Sequence, residues 1–219
     1  MTPKHEIMAA LNASGVVAII RTENPQDLVE VAKALSRGGV KFIEITMTVP
    51  RALEVIRQAS AELSRDDVYI GAGTVLDAPT AKAAIDAGAR FIIGPGTDAE
   101  MVRLCNTYGI VVMPGAFTPG EVIHAWRSGA DVVKIFPADV GGPAYLKALK
   151  GPLPQVELMP TGGVDFDTAA DFIQAGAIAV GSGSFLVNKA LIAAKDYGRL
   201  TDSARRLTKI VREAKEKCQ

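Results

Sequence analysis

Aromatic residues make up only 5% of this 219-residue chain, and it holds just two cysteines and two histidines. So few aromatics argue against a stacking platform for bases or a large aromatic-anchored interface. Cys105 and Cys218 lie far apart, with no Cys-x-x-Cys and no metal-type spacing. A reducing, cytoplasmic setting is therefore the expectation. His5 and His124 belong to no His-x-His or His-Glu-x-x-His pattern, so no metal is expected. Net charge is lacking too: 24 Lys+Arg balance 24 Asp+Glu, which excludes nucleic-acid binding through bulk basicity. Near the N-terminus the longest apolar run is Val16–Ile20, far short of the roughly 18 residues that span a bilayer, so no membrane partner is expected. Lys4, His5 and Glu6 make the first residues unlike a signal peptide.

What the chain does have is a recurring phrase. Short apolar runs, rich in β-branched residues, occur at Val16–Ile20, Phe42–Thr46, Val68–Ile70, Phe91–Ile93, Ile110–Met113, Val132–Phe136, Val156–Met159 and Ile178–Val180. Such runs suit buried parallel strands. Amphipathic stretches lie between them. Asp27–Ser36 places Leu28, Val31, Ala32 and Leu35 on one helical face. Ala52–Leu63, Pro79–Ala87, Asp98–Thr107, Pro119–Ser128, Ala144–Leu149 and Phe166–Ala175 follow the same logic. Pro25, Pro50, Pro79 and Pro119 suit a first helical turn, where a missing N–H costs nothing. Glycines such as Gly88, Gly109, Gly129 and Gly176 close helices just before the next run.

Eight strands alternating with helices predict a parallel α/β architecture. A doubly wound sheet often has a glycine-rich turn after its first strand, but here Arg21-Thr22-Glu23-Asn24-Pro25 follows, without glycine. An eight-unit (β/α) TIM barrel needs roughly 200 residues, and 219 fit that minimum. The expectation is a single barrel domain over residues 1–219, with an extra N-terminal helix at Thr2–Leu11 and a closing helix at Thr201–Lys217.

In such barrels the active site lies at the C-terminal ends of the strands. Residues 42, 44 and 46 share one strand face, as do 132, 134 and 136. If Ile43, Ile45, Val133 and Ile135 face the helices, Glu44 and Lys134 point inward. Buried ions need a partner or a shifted pKa. One reading is a structural ion pair. The other is a nucleophilic lysine that forms a Schiff base, with the carboxylate as proton carrier. No other run carries an inward lysine.

Two glycine clusters follow the last two runs: Thr161-Gly162-Gly163-Val164-Asp165 and Gly181-Ser182-Gly183-Ser184-Phe185. Glycine lets backbone N–H groups approach a ligand, and hydroxyls add donors. Loops seven and eight are the recurrent phosphate site of this barrel class, so Gly162, Gly163, Ser182 and Ser184 are phosphate-binding candidates. Arg21, directly after the first run, suits a substrate carboxylate. After the third run the small residues Gly71-Ala72-Gly73 read as easing close packing, and Thr74 offers a hydroxyl. Pro95, for which loop stiffening is the plainer role, and Phe136 complete the substrate-facing candidates at the mouth. His124 and Trp126 fall mid-helix and read as surface or packing residues.

Five segments in order carry a resemblance: Gly38-Gly39-Val40 with Ile43-Glu44-Ile45-Thr46, Gly71–Val75, Val133-Lys134-Ile135-Phe136-Pro137-Ala138, Met159–Val164 and Gly181–Ser184. Together they resemble the 2-keto-3-deoxy-6-phosphogluconate (KDPG) / 4-hydroxy-2-oxoglutarate (KHG) aldolase family, over about Val16 to Leu186. The resemblance implies a class I aldolase without metal or cofactor, on a (β/α) barrel and usually a homotrimer. Its small-molecule keto-acid substrate would be cleaved to pyruvate and glyceraldehyde 3-phosphate, with 4-hydroxy-2-oxoglutarate as a further substrate. It implies Lys134 as the Schiff-base lysine and Glu44 as the acid/base. Thr74 and Thr161 would line the pyruvate portion, and Gly162, Gly163 and Ser184 would hold phosphate. Many members carry an arginine four or five residues after the glutamate. Thr48 stands there in this chain, which leaves carboxylate recognition to Arg21. Rival readings are a phosphogalactonate aldolase, a phosphosugar isomerase or epimerase on the same barrel, and a non-enzymatic binding module.

Overall fold

Residues 2–63 and 67–218 are described by the computed structural model. Helix α1 (Lys4–Ser14) precedes β1 (Val16–Ile20), α2 (Leu28–Arg37), β2 (Phe42–Thr46), α3 (Ala52–Leu63) and β3 (Tyr69–Gly73). Then come α4 (Ala78–Asp86), β4 (Phe91–Ile93), α5 (Ala99–Thr107), β5 (Val111–Met113), β6 (Gly115–Ala116) and α6 (Pro119–Arg127). The chain continues through β7 (Val133–Ile135), a 3-10 turn (Ala138–Val140), α7 (Gly142–Lys150), β8 (Leu158–Pro160) and α8 (Ala169–Gln174). It ends with β9 (Val180–Ser182), α9 (Lys189–Ala193) and α10 (Tyr197–Glu216). Among the described residues, no helix is long and apolar enough to cross a membrane.

The fold is α/β, and its paired strands are parallel. One sheet has the order β5-β4-β3-β2-β1-β9 and the other β6-β7-β8. A parallel bridge between Thr161 and Gly181 links the ends of β8 and β9. The alternation of side chains divides the core in two. Val16, Ala18, Ile20, Ile43 and Ile45 pack outward with helix residues such as Leu28, Val31, Ala32 and Leu35. Val17, Phe42, Phe91, Val111, Val132 and Met159 face inward and meet Ile7 and Leu11 of α1. Strands of both sheets share this inner cluster, so the sheets curl around it; the larger one forms a half-barrel.

Helix starts follow capping chemistry. Thr118 and Glu121 form a capping box around Pro119 at the start of α6. Asp77 and Asp98 accept N–H groups at the starts of α4 and α5. Pro25 and Pro50 depart from expectation: α2 begins only at Leu28, after Asp27 in the left-handed region, and α3 at Ala52, so both prolines precede their helices.

Several strands run past their expected ends. β3 takes in Gly71-Ala72-Gly73, β8 ends on Pro160, and β9 contains Gly181 and Ser182. The close packing expected of Gly71-Ala72-Gly73 is found inside the sheet, and Gly181, expected in a loop, serves the same close approach. A Cβ on Gly71 would collide with the Phe91 ring, and one on Gly181 with the Thr161 hydroxyl. Beyond the fifth run Pro114 separates β5 from the short β6, and its carbonyl accepts the Lys134 N–H at 2.9 Å. The short α9 and the 3-10 turn lie outside the sequence pattern, and α10 starts earlier than Thr201, capped by Asp196.

Candidate active site

Among the described residues the buried polar side chains are Glu44, Thr46, Lys134, Thr161 and Ser182. Glu44 and Thr46 of β2, Lys134 of β7 and Thr161 at the end of β8 are turned by strand alternation toward one interior, whereas Ser182 shares the outer face of β9 with Val180. Glu44 is 1% exposed and Lys134 4%. Neither carboxylate oxygen of Glu44 has a hydrogen-bond partner. Burial pushes the Glu44 carboxyl above its ordinary range, and the charges of Lys134 and Arg21 pull only partly the other way. An interior built only for packing gains nothing from such a group. A carboxyl raised toward neutrality and free of hydrogen bonds is suited to taking and returning a proton. The Lys134 ammonium position lies 5.2 Å from the centroid of the Phe136 ring. The peptide bond between Phe136 and Pro137 is cis.

Above this interior opens a cleft of about 390 Å³, lined by Arg21, Phe136, Thr161, Gly162, Gly163 and Ser184, with Ile19, Asp165, Phe185 and Lys189. Gly162 and Gly163 have φ of 100° and 66°, a backbone that presents the loop without a Cβ in the way. The loop is tied from below. Ser182 donates its hydroxyl to the Val164 carbonyl at 3.0 Å, and Thr168 donates to the Gly163 carbonyl at 2.8 Å. Burial acts upward on Asp165, but N–H and hydroxyl donors from Thr168 and the Asp167 N–H hold its carboxyl below the usual range. Asp165 is thereby engaged with the start of α8. Among the described ion pairs none includes Arg21 or Lys189. The cleft thus pairs two free cations with backbone donors, which is an anion-binding combination.

The structure therefore gathers Arg21, Phe136, Thr161, Gly162, Gly163 and Ser184 around one cleft; Glu44 and Lys134 are buried and do not line it, Lys134 meeting it through the Phe136 ring. It leaves three candidates apart. Ser182 lies under the loop, with its hydroxyl spent on Val164. Pro95 lines an adjoining cleft of about 410 Å³ with Thr97, Phe117, Glu121 and His124, joined to the first through Phe136. Thr74 lines neither cleft; it holds a left-handed backbone, φ 57°, just past β3. His124 and Trp126 are exposed on α6.

A model of KDPG and KHG aldolase matches residues 7–203. The chain belongs to this family. It is 36% identical over 186 residues to a 2-dehydro-3-deoxy-phosphogluconate aldolase of Pseudomonas aeruginosa, covering 84% of each chain. A solved structure described as native KDPGal superposes with a TM-score of 0.85 at 32% identity, covering 92% of this chain and 96% of that one. KDPG aldolase from Legionella pneumophila, holding pyruvate as a covalent carbinolamine, superposes with a TM-score of 0.82 at 29% identity, covering 91% and 97%. For a member of the KDPG and KHG aldolase family, three residues add to the sequence-derived set. Thr46, with Glu44 on the inner face of β2, donates to the Ile20 carbonyl at 3.2 Å and lies 2.8 Å from the Thr48 hydroxyl. Its inward period-two position was the available signal. Phe185 and Lys189 reach the cleft through the turn into α9, whose five residues carry no periodic signal.

Proposed function

We propose that this aldolase cleaves KDPG through a Schiff base on Lys134, with Glu44 as the proton carrier. The Lys134 amine attacks the keto carbon, and loss of water gives an iminium. Glu44 removes the proton of the C4 hydroxyl. The C3–C4 bond then breaks, its electrons enter the iminium, and the aldehyde leaves as glyceraldehyde 3-phosphate. Glu44 returns the proton to C3 of the enamine, and hydrolysis frees pyruvate and the lysine. One observation carries this reading: a buried lysine shares an interior with a buried carboxylate that has no hydrogen-bond partner.

Arg21 binds the substrate carboxylate in place of the arginine that Thr48 replaces. Thr161 lies along the pyruvate portion, with Phe136 at its edge. Gly162, Gly163 and Ser184 take the phosphate, Ser182 supporting that loop from below; Pro95 stiffens the adjoining rim. The two sheets close as one eight-unit (β/α) barrel domain with α1 as an extra helix across its floor. Support comes from the bridge between β8 and β9 and from the inner cluster common to both sheets. The family resemblance supports a cytoplasmic homotrimer.

Borohydride reduction in the presence of pyruvate tests the chemistry. A reduced pyruvyl adduct on the peptide bearing Lys134 is expected; an adduct elsewhere sinks the mechanism. The likeness to the KDPGal structure supports a second reading, with the C4 epimer as substrate. Pyruvate release from both epimers, with and without phosphate, decides between them.

A further inference from the structure

We propose that Gly73 is a positioning residue for Glu44, its missing side chain forming the niche that aims the carboxylate at the mouth. The inference rests on the reading of Glu44 as proton carrier. Two glycines share the inner face of β3, and they are spaced for different neighbours. A Cβ on Gly71 would strike the ring of Phe91, a packing contact of the lower interior. A Cβ on Gly73 would strike Glu44 along its whole end: Cδ, Oε1 and, at 2.5 Å, Cγ.

Strand register shows how this arises. Glu44 pairs with Gly71, and Thr46 pairs with Gly73. The Glu44 side chain therefore leans one pair toward the C-terminal ends, across Gly73 rather than over its own partner. No hydrogen bond fixes either carboxylate oxygen. Beside the pull of the Lys134 and Arg21 charges, shape is left to do so, and the floor of that shape is Gly73. The backbone there has little room to yield, since the Gly73 carbonyl accepts the Met47 N–H at 2.7 Å within the sheet. A methyl at residue 73 must displace the carboxylate.

Gly73→Ala is expected to separate two steps. Lys134 is untouched, so borohydride trapping of pyruvate stays within about twofold of wild type. Exchange of the pyruvate methyl protons with D2O, which needs the proton carrier, falls about 100-fold, the scale of an ångström-sized misplacement. Gly71→Ala is the control: it lowers the melting temperature but keeps the wild-type ratio of exchange to trapping. Thermal melts test the contact without catalysis. Gly73→Ala should lower the melting temperature of wild type and leave that of Glu44→Ala unchanged. Equal losses in both backgrounds, or full exchange in Gly73→Ala, overturn the proposal. Full exchange in Glu44→Gln instead overturns the reading of Glu44 on which it rests.

Discussion

The lower and upper halves of the interior use the same strands and the same alternation, yet opposite chemistry. At the lower level Phe42, Val132 and Met159 pack among Phe91, Ile7 and Leu11. Phe42 stacks on Tyr69 at 4.8 Å and meets Phe91 at 5.6 Å. Two residues further along each strand stand Glu44, Lys134 and Thr161, buried and polar. The lower layer gains the burial and ring packing that stabilise a fold. The upper layer gives up that stabilisation and leaves the Glu44 and Thr161 oxygens without hydrogen-bond partners. Stability and reactivity are thus divided by height within one interior, a separation of the kind seen where function costs stability.

The largest effects should cross this division in opposite directions. Lys134→Ala is expected to reduce cleavage by more than about 10³-fold, since the proposed mechanism makes it the nucleophile of the covalent route. Its melting temperature should hold or rise. Phe42→Ala should cost about 3–5 kcal/mol of stability by opening a cavity in the lower cluster. Its turnover per folded molecule, measured below the melting point, should stay within a few fold. Denaturant titration beside initial rates reads both, and a Phe42→Ala enzyme that is folded but dead breaks the comparison.

Glu44→Gln sharpens it through pH. Burial raises the folded-state pKa of Glu44 above that of the unfolded chain. The folded state then binds the extra proton, so wild-type stability declines as pH rises from the ordinary carboxylate range through the raised pKa. Glutamine cannot ionise and escapes that decline. The variant should match wild type at the acid end and exceed it at neutral pH. Its kcat should fall by about 10²–10⁴-fold. A stability difference that does not vary with pH would detach the carboxylate from the cost assigned to it.

The upper layer was legible in sequence wherever a polar side chain broke an apolar run. Glu44 in Phe42–Thr46 and Lys134 in Val132–Phe136 stand out because period-two alternation alone turns them inward. Gly162 and Gly163 stood out by following the seventh run. Gly71 and Gly73 read as close-packing residues without showing which neighbour they make room for, and Gly181 and Ser182 were harder still, because local sequence cannot separate a loop glycine from one that yields space to a neighbouring strand. Phe91 lies 20 residues beyond Gly71, and Thr161 lies 20 before Gly181. Only the register brings each pair together. The same limit hid the spent hydroxyl of Ser182, whose acceptor at Val164 belongs to the preceding loop. It also hid the split of the mouth into two clefts, which sets Pro95 apart from Arg21.

Thr161 supplies the smallest and most discriminating test, because one atom carries both sides of the comparison. Its Oγ1 is buried without a partner, and Gly181 leaves room for it. Replacing it by the nearly isosteric Thr161→Val puts a methyl where the lower layer would have one. An unsatisfied buried hydroxyl costs about 1–3 kcal/mol, so the variant should gain roughly 1 kcal/mol in denaturant titration. If the hydroxyl is kept for the keto-acid, the KM for substrate should rise about three- to tenfold, the worth of one hydrogen bond of about 1 kcal/mol. The kcat should change far less than in Glu44→Gln. A stability gain without a change in KM would make Thr161 an imperfection of packing, and the upper layer would then owe its polarity to Glu44 and Lys134 alone.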